Sequence, residues 1–149
     1  MVTIRLADKD DVPVLVAMGH RFLASSAYAS AVLPTDDEVE DSLLSLVAHG
    51  VVFVADKDGV PVGMLAGAMS RIWFCPRPVA AELAWWVDED YRGGTAGIRL
   101  VQEFQSWARL EGARFVVMSD QVNGDPHVGP MLLRMGFSEV ERSWVQEVV

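Results

Sequence analysis

Residues 79–97 read VAAELAWWVDEDYRGGTAG. The first nine, Val79–Val87, are apolar on both faces apart from Glu82, which is typical of a strand in the middle of a covered sheet. The glycine-rich segment Tyr91–Gly97 then leads into a helical pattern from about Ile98 to Glu111. Because a helix N-terminus presents unpaired N–H groups, this junction is compatible with a pyrophosphate site as well as with a plain turn. The loop matches neither G-x-G-x-x-G nor G-x-x-x-x-G-K-[ST], which excludes the Rossmann and P-loop motifs.

Periodicity, caps and turn signals predict the elements on either side of this junction. The other expected strands are residues 3–6, 50–56, 60–70 and 114–119, and a last strand from Phe137 or Ser138 to Val148. The other expected helices are residues 10–25, 35–50 and 126–135. The order βααβββαβαβ predicts an α/β (α+β) fold, with a mixed, mostly antiparallel central sheet flanked by about four helices.

The composition predicts one folded domain over residues 1–149, because 51% of the chain is hydrophobic and 22% is charged. The longest apolar runs, such as Val51–Ala55, are far shorter than the ~20 residues that a membrane span needs. The first residues also lack the basic and apolar regions of a signal peptide. We therefore expect a soluble, cytoplasmic protein with no membrane association.

The formal net charge of −9 opposes binding to a phosphate backbone, so nucleic acid is not an expected partner. An acidic field favours a cationic partner such as an amine or a basic protein surface, although solubility explains the same charge equally well. Cys75 is the only cysteine, which excludes an intrachain disulfide. No group of Cys, His and carboxylate residues has metal-ligand spacing, so no metal is expected.

The segment Val87–Gly97 resembles the acyl-CoA signature of the GNAT family of N-acetyltransferases, which reads roughly V-x-P-x-x-[RQ]-G-x-G-x-[GA]. The positions that match are Val87, Arg92, Gly93 and Gly97. The positions that depart from it are Glu89, which replaces the proline, and Thr95, which replaces the second glycine. Asn123 together with Leu132–Phe137 is similar to the family's N-x-x-A-x-x-x-Y-x-x-x-G-F segment.

This resemblance implies an enzyme that transfers an acetyl group from acetyl-CoA directly to an amine, on a small molecule or a protein, within a ternary complex. It implies that the backbone of Trp86 and Val87 pairs with the pantetheine arm, and Asn123 matches a position that often touches that arm. The pyrophosphate would be held by the backbone amides of Arg92, Gly93, Gly94, Thr95, Ala96 and Gly97.

Glu82 is the candidate general base, because the acceptor amine must lose a proton before it attacks. A carboxylate among apolar neighbours is expected to have a raised pKa. The alternative is that Glu82 forms an ion pair with Arg71 or Arg77, or only marks the exposed start of the strand.

Leu132 stands where family members commonly carry the tyrosine that protonates the leaving thiolate. Either another group supplies that proton or the thiolate leaves unaided. His127 is the candidate catalytic acid, because histidine exchanges protons near neutral pH. Tyr91 and Ser119 are the other candidates.

A second hypothesis is a non-catalytic GNAT-fold protein that binds CoA, a partner protein or both. The missing tyrosine and Thr95 favour it, and so does the length of the chain after Phe137, which is only twelve residues. The sheet would then end early or be completed by a partner chain, which favours a homodimer. A third hypothesis is a small-ligand sensor in which the glycine loop is a plain turn.

Overall fold

A computed structural model describes residues 1–149. Five strands form one sheet in chain order: β1 (Val2–Leu6), β2 (Val51–Lys57), β3 (Val60–Ser70), β4 (Val79–Val87) and β5 (Phe115–Val117). Four helices pack around it: α1 (Val12–Ser25), α2 (Asp36–His49), α3 (Ala96–Leu110) and α4 (Val128–Arg134). The order β1-α1-α2-β2-β3-β4-α3-β5-α4 confirms the predicted fold class. No helix has the length and apolar character needed to cross a membrane.

The predicted last strand is wrong. Residues 138–149 contain neither helix nor strand, and the last backbone hydrogen bond runs from the Phe137 N–H to the Leu132 carbonyl. The segment has strand-forming side chains, but a strand exists only where a neighbour pairs with it. No other part of the chain pairs with this segment.

Neighbouring strands from β1 to β4 are antiparallel, whereas β4 and β5 are parallel and joined through α3. The turn between β2 and β3 has positive φ angles at both central residues, Asp58 (52°) and Gly59 (88°). This is the conformation of a two-residue hairpin turn, as the Lys57–Gly59 sequence predicts.

Two apolar layers cover the sheet. The first lies between the sheet and α3 and includes Phe53, Leu65, Leu100 and Phe104; the second lies under α1 and α2 and includes Leu15, Met18, Leu43 and Met64. Trp85 packs against the first layer and Trp86 against the second, as the alternation of side chains along a strand predicts.

A bulge interrupts the pairing of β3 with β4. Ala66 pairs with Ala84 and Gly67 with Glu82, so Leu83 has no partner on β3. Paired residues share a face, and Gly67 lies on the face that α3 covers: a Cβ added there would lie 2.5 Å from Cε1 of Phe104. The bulge therefore places Glu82 on the same face as Trp85 and Val87.

Candidate active site

The strands β4 and β5 pair over three residues only and then separate. Val79–Ala81 pairs with Phe115–Val117, after which β5 ends and β4 continues for six more residues. The stretch Glu82–Val87 thus has an unpaired edge. The opening between this edge and the residues that follow β5 is called the cleft below.

Backbone hydrogen bonds show which residues of β4 face the cleft. The Asp88 N–H donates to the Val62 carbonyl at 2.8 Å, so Asp88 faces β3. Alternate residues of an antiparallel pair face the same neighbour, which turns the N–H and C=O of Trp86 toward β3 as well. The N–H and C=O of Trp85 and Val87 point into the cleft. The backbone groups expected to face a ligand here were those of Trp86 and Val87. Val87 does face the cleft, but the second residue that faces it is Trp85 and not Trp86.

The glycine-rich loop ends at α3, whose first turn has unpaired N–H groups. Thr95 is the N-cap residue, but its side chain makes no capping hydrogen bond. Gly93 has a φ of 84°, and no atom lies within 4 Å of the position that a Cβ would occupy there. The backbone amides of residues 93–97 donate to no other group and are available to an anion at the mouth of the cleft. The amide of Arg92, which was expected in the same set, instead donates to the Glu89 carbonyl at 3.2 Å.

The Trp85 indole is a further hydrogen-bond donor beside this loop. Its Nε1 is buried and has no partner, and it lies 3.9 Å from the position that a Cβ on Gly97 would occupy. A buried N–H without an acceptor is costly unless a ligand supplies one. This unpaired donor and the uncapped helix end fit an anionic group such as the diphosphate of coenzyme A. The unpaired Trp85 donor could not be predicted from the sequence, because it depends on how the indole packs beside Gly97 in the folded chain.

Arg92 fixes the loop to the end of β4. Its Nε donates to the Val87 carbonyl at 2.7 Å, and its guanidinium carbon lies 4.4 Å from the centre of the Trp86 ring. The Trp86 indole donates to Asp88 Oδ1 at 2.9 Å, and the same carboxylate accepts from Arg21 at 2.9 Å. These contacts place a positive charge at the mouth of the cleft in a defined position.

Glu82 is half-buried where β4 and β5 separate. Its Oε2 accepts one hydrogen bond, from the Ser119 N–H at 3.2 Å, and it forms no ion pair. The expected alternative, pairing with Arg71 or Arg77, is therefore wrong. Burial raises the pKa of Glu82 to about 7, although the hydrogen bond from Ser119 acts in the opposite direction. A carboxyl group with this pKa exchanges protons at neutral pH.

His127 lies at the start of α4 with its side chain exposed. Its Nδ1 is 2.7 Å from Asp125 Oδ1, which also accepts the His127 backbone N–H at 2.8 Å. These two contacts lower the pKa of Asp125, and the charge of Arg92 contributes in the same direction. Asn123 is exposed in the turn before α4, and its side chain makes no hydrogen bond. Leu132 is buried in α4.

A groove of about 290 Å³ lies on the opposite face of the sheet, under α1 and α2. It reaches the bulge, because its lining includes Phe22, Val39, Leu43, Leu46, Leu83 and Ala84. Its polar lining is occupied: Glu38 accepts the Thr35 N–H at 2.8 Å, and the Ser42 hydroxyl donates to the Glu38 carbonyl. This surface is called the apolar groove below.

Comparison with protein families gives a match over most of the chain. The model of the acetyltransferase (GNAT) family matches residues 21–137. The chain belongs to the GNAT family. A search of curated protein sequences finds no match.

Solved structures share the GNAT fold with this chain at low sequence identity. An aminoglycoside N-acetyltransferase, AAC(6')-Iy in complex with CoA, is 17% identical with a TM-score of 0.80, over 99% of this chain and 95% of that one. A predicted acetyltransferase from Clostridium acetobutylicum, with acetyl-CoA, is 18% identical with a TM-score of 0.74, over 99% and 96%. A transcriptional regulator from Bacillus halodurans C-125 is 17% identical with a TM-score of 0.80, over 99% and 100%.

Proposed function

We propose that this GNAT protein is an N-acetyltransferase that transfers the acetyl group of acetyl-CoA directly to an amine in a ternary complex. The main support for the proposal is the cleft, in which the unpaired edge of β4 leads to the N-terminus of α3, which has no side-chain cap. A half-buried carboxyl group lies on the same strand. Solved structures of the same fold contain CoA or acetyl-CoA, which supports this ligand.

Residues on both sides of the glycine loop would hold the cosubstrate. The amides of residues 93–97 and the Trp85 indole would donate to the diphosphate, and the Arg92 side chain would add a positive charge. The backbone groups of Trp85 and Val87 would pair with the amides of the pantetheine arm, and Asn123 would contact the arm from the other side. Acetyl-CoA supplies an acyl group on a thiol leaving group.

Glu82 would accept a proton from the acceptor ammonium, directly or through one water. The neutral nitrogen would then attack the thioester carbonyl, so that a C–N bond forms as the C–S bond breaks, and the nitrogen would lose its second proton to solvent as it becomes an amide. His127 would return a proton to the sulfur, or the thiolate would leave without one, since its pKa is modest. No metal takes part in this scheme.

We place the body of the acceptor in the apolar groove, because the groove borders the unpaired edge of β4 at Leu83 and Ala84. Glu82 lies on the other face of the sheet, so the amine would extend round this edge into the cleft to reach it. Most of its lining is hydrocarbon, so an amine on an aromatic or aliphatic body fits it better than a polyhydroxylated one. The acceptor would be a small molecule or a side chain of a protein. We assign residues 1–149 to one catalytic domain and its activity to the cytoplasm.

A non-catalytic role in CoA or partner binding is the second candidate. Two observations favour it: Leu132 offers no hydroxyl to the leaving thiolate, and one protein of the same fold is a transcriptional regulator. The two candidates share the cofactor site and differ in thiol release.

Calorimetric titration with acetyl-CoA tests the site that both candidates share. We expect saturable binding that Gly97→Glu abolishes, because the new carboxylate would lie in the diphosphate position. Gly97→Ala is the matched control: its Cβ would lie 3.5 Å from Cζ2 of Trp85, an ordinary contact, so the affinity should change by less than about threefold. No binding by the unmodified protein would overturn the enzyme and a non-catalytic role in CoA binding, and would leave only a role in partner binding.

Measuring the release of free CoA thiol with a panel of amines then distinguishes the two candidate functions. The panel contains arylalkylamines, polyamines, aminoglycosides, amino acids and basic proteins. Release that depends on an amine supports the enzyme, and a higher kcat/KM for arylalkylamines than for aminoglycosides supports the placement in the apolar groove. Binding of acetyl-CoA without release for any amine supports the non-catalytic role.

A further inference from the structure

A chain of four side chains runs from α1 to the mouth of the cleft. Arg21 on α1 donates to both carboxylate oxygens of Asp88, at 2.9 and 3.2 Å. The Trp86 indole donates to Oδ1 of the same carboxylate at 2.9 Å. The guanidinium of Arg92 lies over the Trp86 ring, 4.4 Å from its centre. These contacts connect α1 with the glycine loop, although Arg21 and Asp88 are 67 residues apart in the sequence.

The side chain of Asp88 has no part in the local backbone structure. Asp88 precedes a short 3-10 helix, Glu89–Tyr91, but its carboxylate makes no capping hydrogen bond there. Its backbone N–H donates to the Val62 carbonyl whatever the side chain is. All the hydrogen bonds of the carboxylate come from Arg21 and Trp86. Because a guanidinium that donates to both oxygens fixes the plane of a carboxylate, the oxygen that holds the indole has a defined position.

Arg92 is exposed and would be mobile without this support. Its side chain forms no ion pair, and its one hydrogen bond runs from Nε to the Val87 carbonyl at 2.7 Å. The Trp86 ring holds the guanidinium by cation–π stacking and leaves both of its Nη groups free to donate. The pKa of Asp125, on the other side of the cleft, is lowered mainly by His127 and in part by the charge of Arg92. The positive charge therefore faces the space between the two walls of the cleft.

We propose that Asp88 and Arg21 are positioning residues for acetyl-CoA. They hold the Trp86 indole, and through it Arg92, in the orientation in which the guanidinium meets the diphosphate. Arg21 also neutralises the Asp88 carboxylate, which would otherwise repel that anion. The inference rests on the acetyl-CoA binding proposed above and extends the cofactor site to a helix on the opposite face of the sheet.

Removing the Asp88 carboxylate distinguishes positioning from a simple effect of charge. Loss of a negative charge near an anion site should by itself lower the Kd for acetyl-CoA. Loss of the acceptor that holds Trp86 should raise it, so we expect a Kd roughly fivefold higher for Asp88→Ala, by calorimetric titration. Asp88→Asn keeps an oxygen acceptor for the indole and should bind at least as tightly as the unmodified protein. Asp90→Ala is the matched control: Asp90 is exposed two residues further on, and its loss should not raise the Kd.

Two further variants test each link of the chain. Trp86→Phe keeps an aromatic ring but removes the indole donor, and it should raise the Kd much as Asp88→Ala does. Arg21→Gln should raise the Kd in the unmodified protein but not in the Asp88→Ala variant, where no carboxylate is left to orient. In an Arg92→Gln background, Asp88→Ala should change the Kd by less than about twofold, because the residue through which Asp88 acts is absent.

The outcomes separate this inference from the proposed function. An Asp88→Ala protein that binds acetyl-CoA as tightly as the unmodified protein would overturn the inference alone. An equal loss of affinity in the Arg92→Gln background would also overturn it, since Asp88 would then act on the fold and not through Arg92. An unmodified protein that does not bind acetyl-CoA would overturn the inference together with the proposed function.

Discussion

The pKa of Glu82 is raised because its carboxyl group lies where β4 and β5 separate. Its neighbours along β4 are apolar, and the only polar contact of its carboxyl group is the Ser119 N–H. Because burial dominates, the pKa of Glu82 is raised to about 7. If Glu82 is the base, kcat/KM should rise with pH through about 7 as the carboxylate forms. Glu82→Gln should lower kcat roughly 100-fold and remove this part of the pH profile, with little change in acetyl-CoA affinity.

The control for this variant is Glu103→Gln, on the exposed face of α3, which should behave as the unmodified enzyme. Steady-state kinetics from pH 5.5 to 9 and calorimetry with acetyl-CoA provide the readouts. A Glu82→Gln enzyme with unchanged kcat at pH 8 would remove Glu82 from the mechanism and leave the base to another group or to water.

The same pKa predicts how stability depends on pH. A carboxyl group whose pKa is raised from 4.5 to about 7 on folding destabilises the folded state as the pH rises, and this cost is absent below about pH 4 and complete above about 7. Glu82→Gln should therefore melt at the same temperature as the unmodified protein at pH 4 and roughly 3 °C higher at pH 8. Scanning calorimetry at the two pH values measures the difference. A variant that melts lower at both would indicate a structural role for the carboxyl group.

Trp85 should affect affinity and stability in opposite directions. Its indole N–H is buried without an acceptor in the free protein and would gain one from the diphosphate. Trp85→Phe keeps an aromatic ring against α3 but removes the donor. We expect an apo protein that is more stable by about 1 kcal/mol and a Kd for acetyl-CoA that is roughly tenfold higher. Trp107→Phe, a change of the same kind on α3, should leave the Kd unchanged.

Among the elements, α3 and β4 were predictable from local sequence, but the side chains that β4 turns toward α3 were not. The apolar strand and the glycine loop can each be recognised from a few residues. The bulge at Leu83 arises from the pairing of β3 with β4. It cannot be predicted from the alternation of side chains along β4 alone. Alternation alone would put Glu82 on the face of Trp86, whereas the bulge puts it on the face of Trp85. The length of β5, which determines where the cleft begins, likewise depends on tertiary contacts.

Gly67 controls how closely α3 approaches the bulge. A Cβ at this position would lie 2.5 Å from Cε1 of Phe104 and 2.8 Å from the Ala81 carbonyl oxygen. Gly67→Ala should therefore destabilise the protein by about 1–3 kcal/mol and weaken acetyl-CoA binding, because α3 carries the diphosphate site.

The double variant G67A/F104L identifies the cause of this effect. Phe104→Leu removes the ring atoms that meet the new methyl group, so the double variant should lose less stability than the sum of the two single variants, by at least about 0.5 kcal/mol. Urea denaturation of all four proteins measures this coupling. Strict additivity would show that the strain arises elsewhere.

At the scale of the whole molecule, the fold was predictable from the sequence, whereas the structure of the last twelve residues was not. Val140, Trp144 and Val148 give residues 138–149 the pattern of a strand, and the prediction of a strand followed from that pattern. Whether a strand forms depends on an edge that is free and reachable. That condition depends on tertiary pairing and cannot be read from the segment alone.

The net charge of −9 should attract a cationic acceptor from solution. Because the Debye length shrinks from about 10 Å at 0.1 M salt to about 3 Å at 1 M, added salt should lower kcat/KM for an ammonium acceptor by roughly 3- to 10-fold while kcat stays constant. An aromatic amine that is uncharged at the assay pH provides the control and should show no such loss. If both amines lose rate equally, salt acts on acetyl-CoA binding or on the fold. If neither does, the acidic surface has no part in capturing the acceptor and its charge serves solubility.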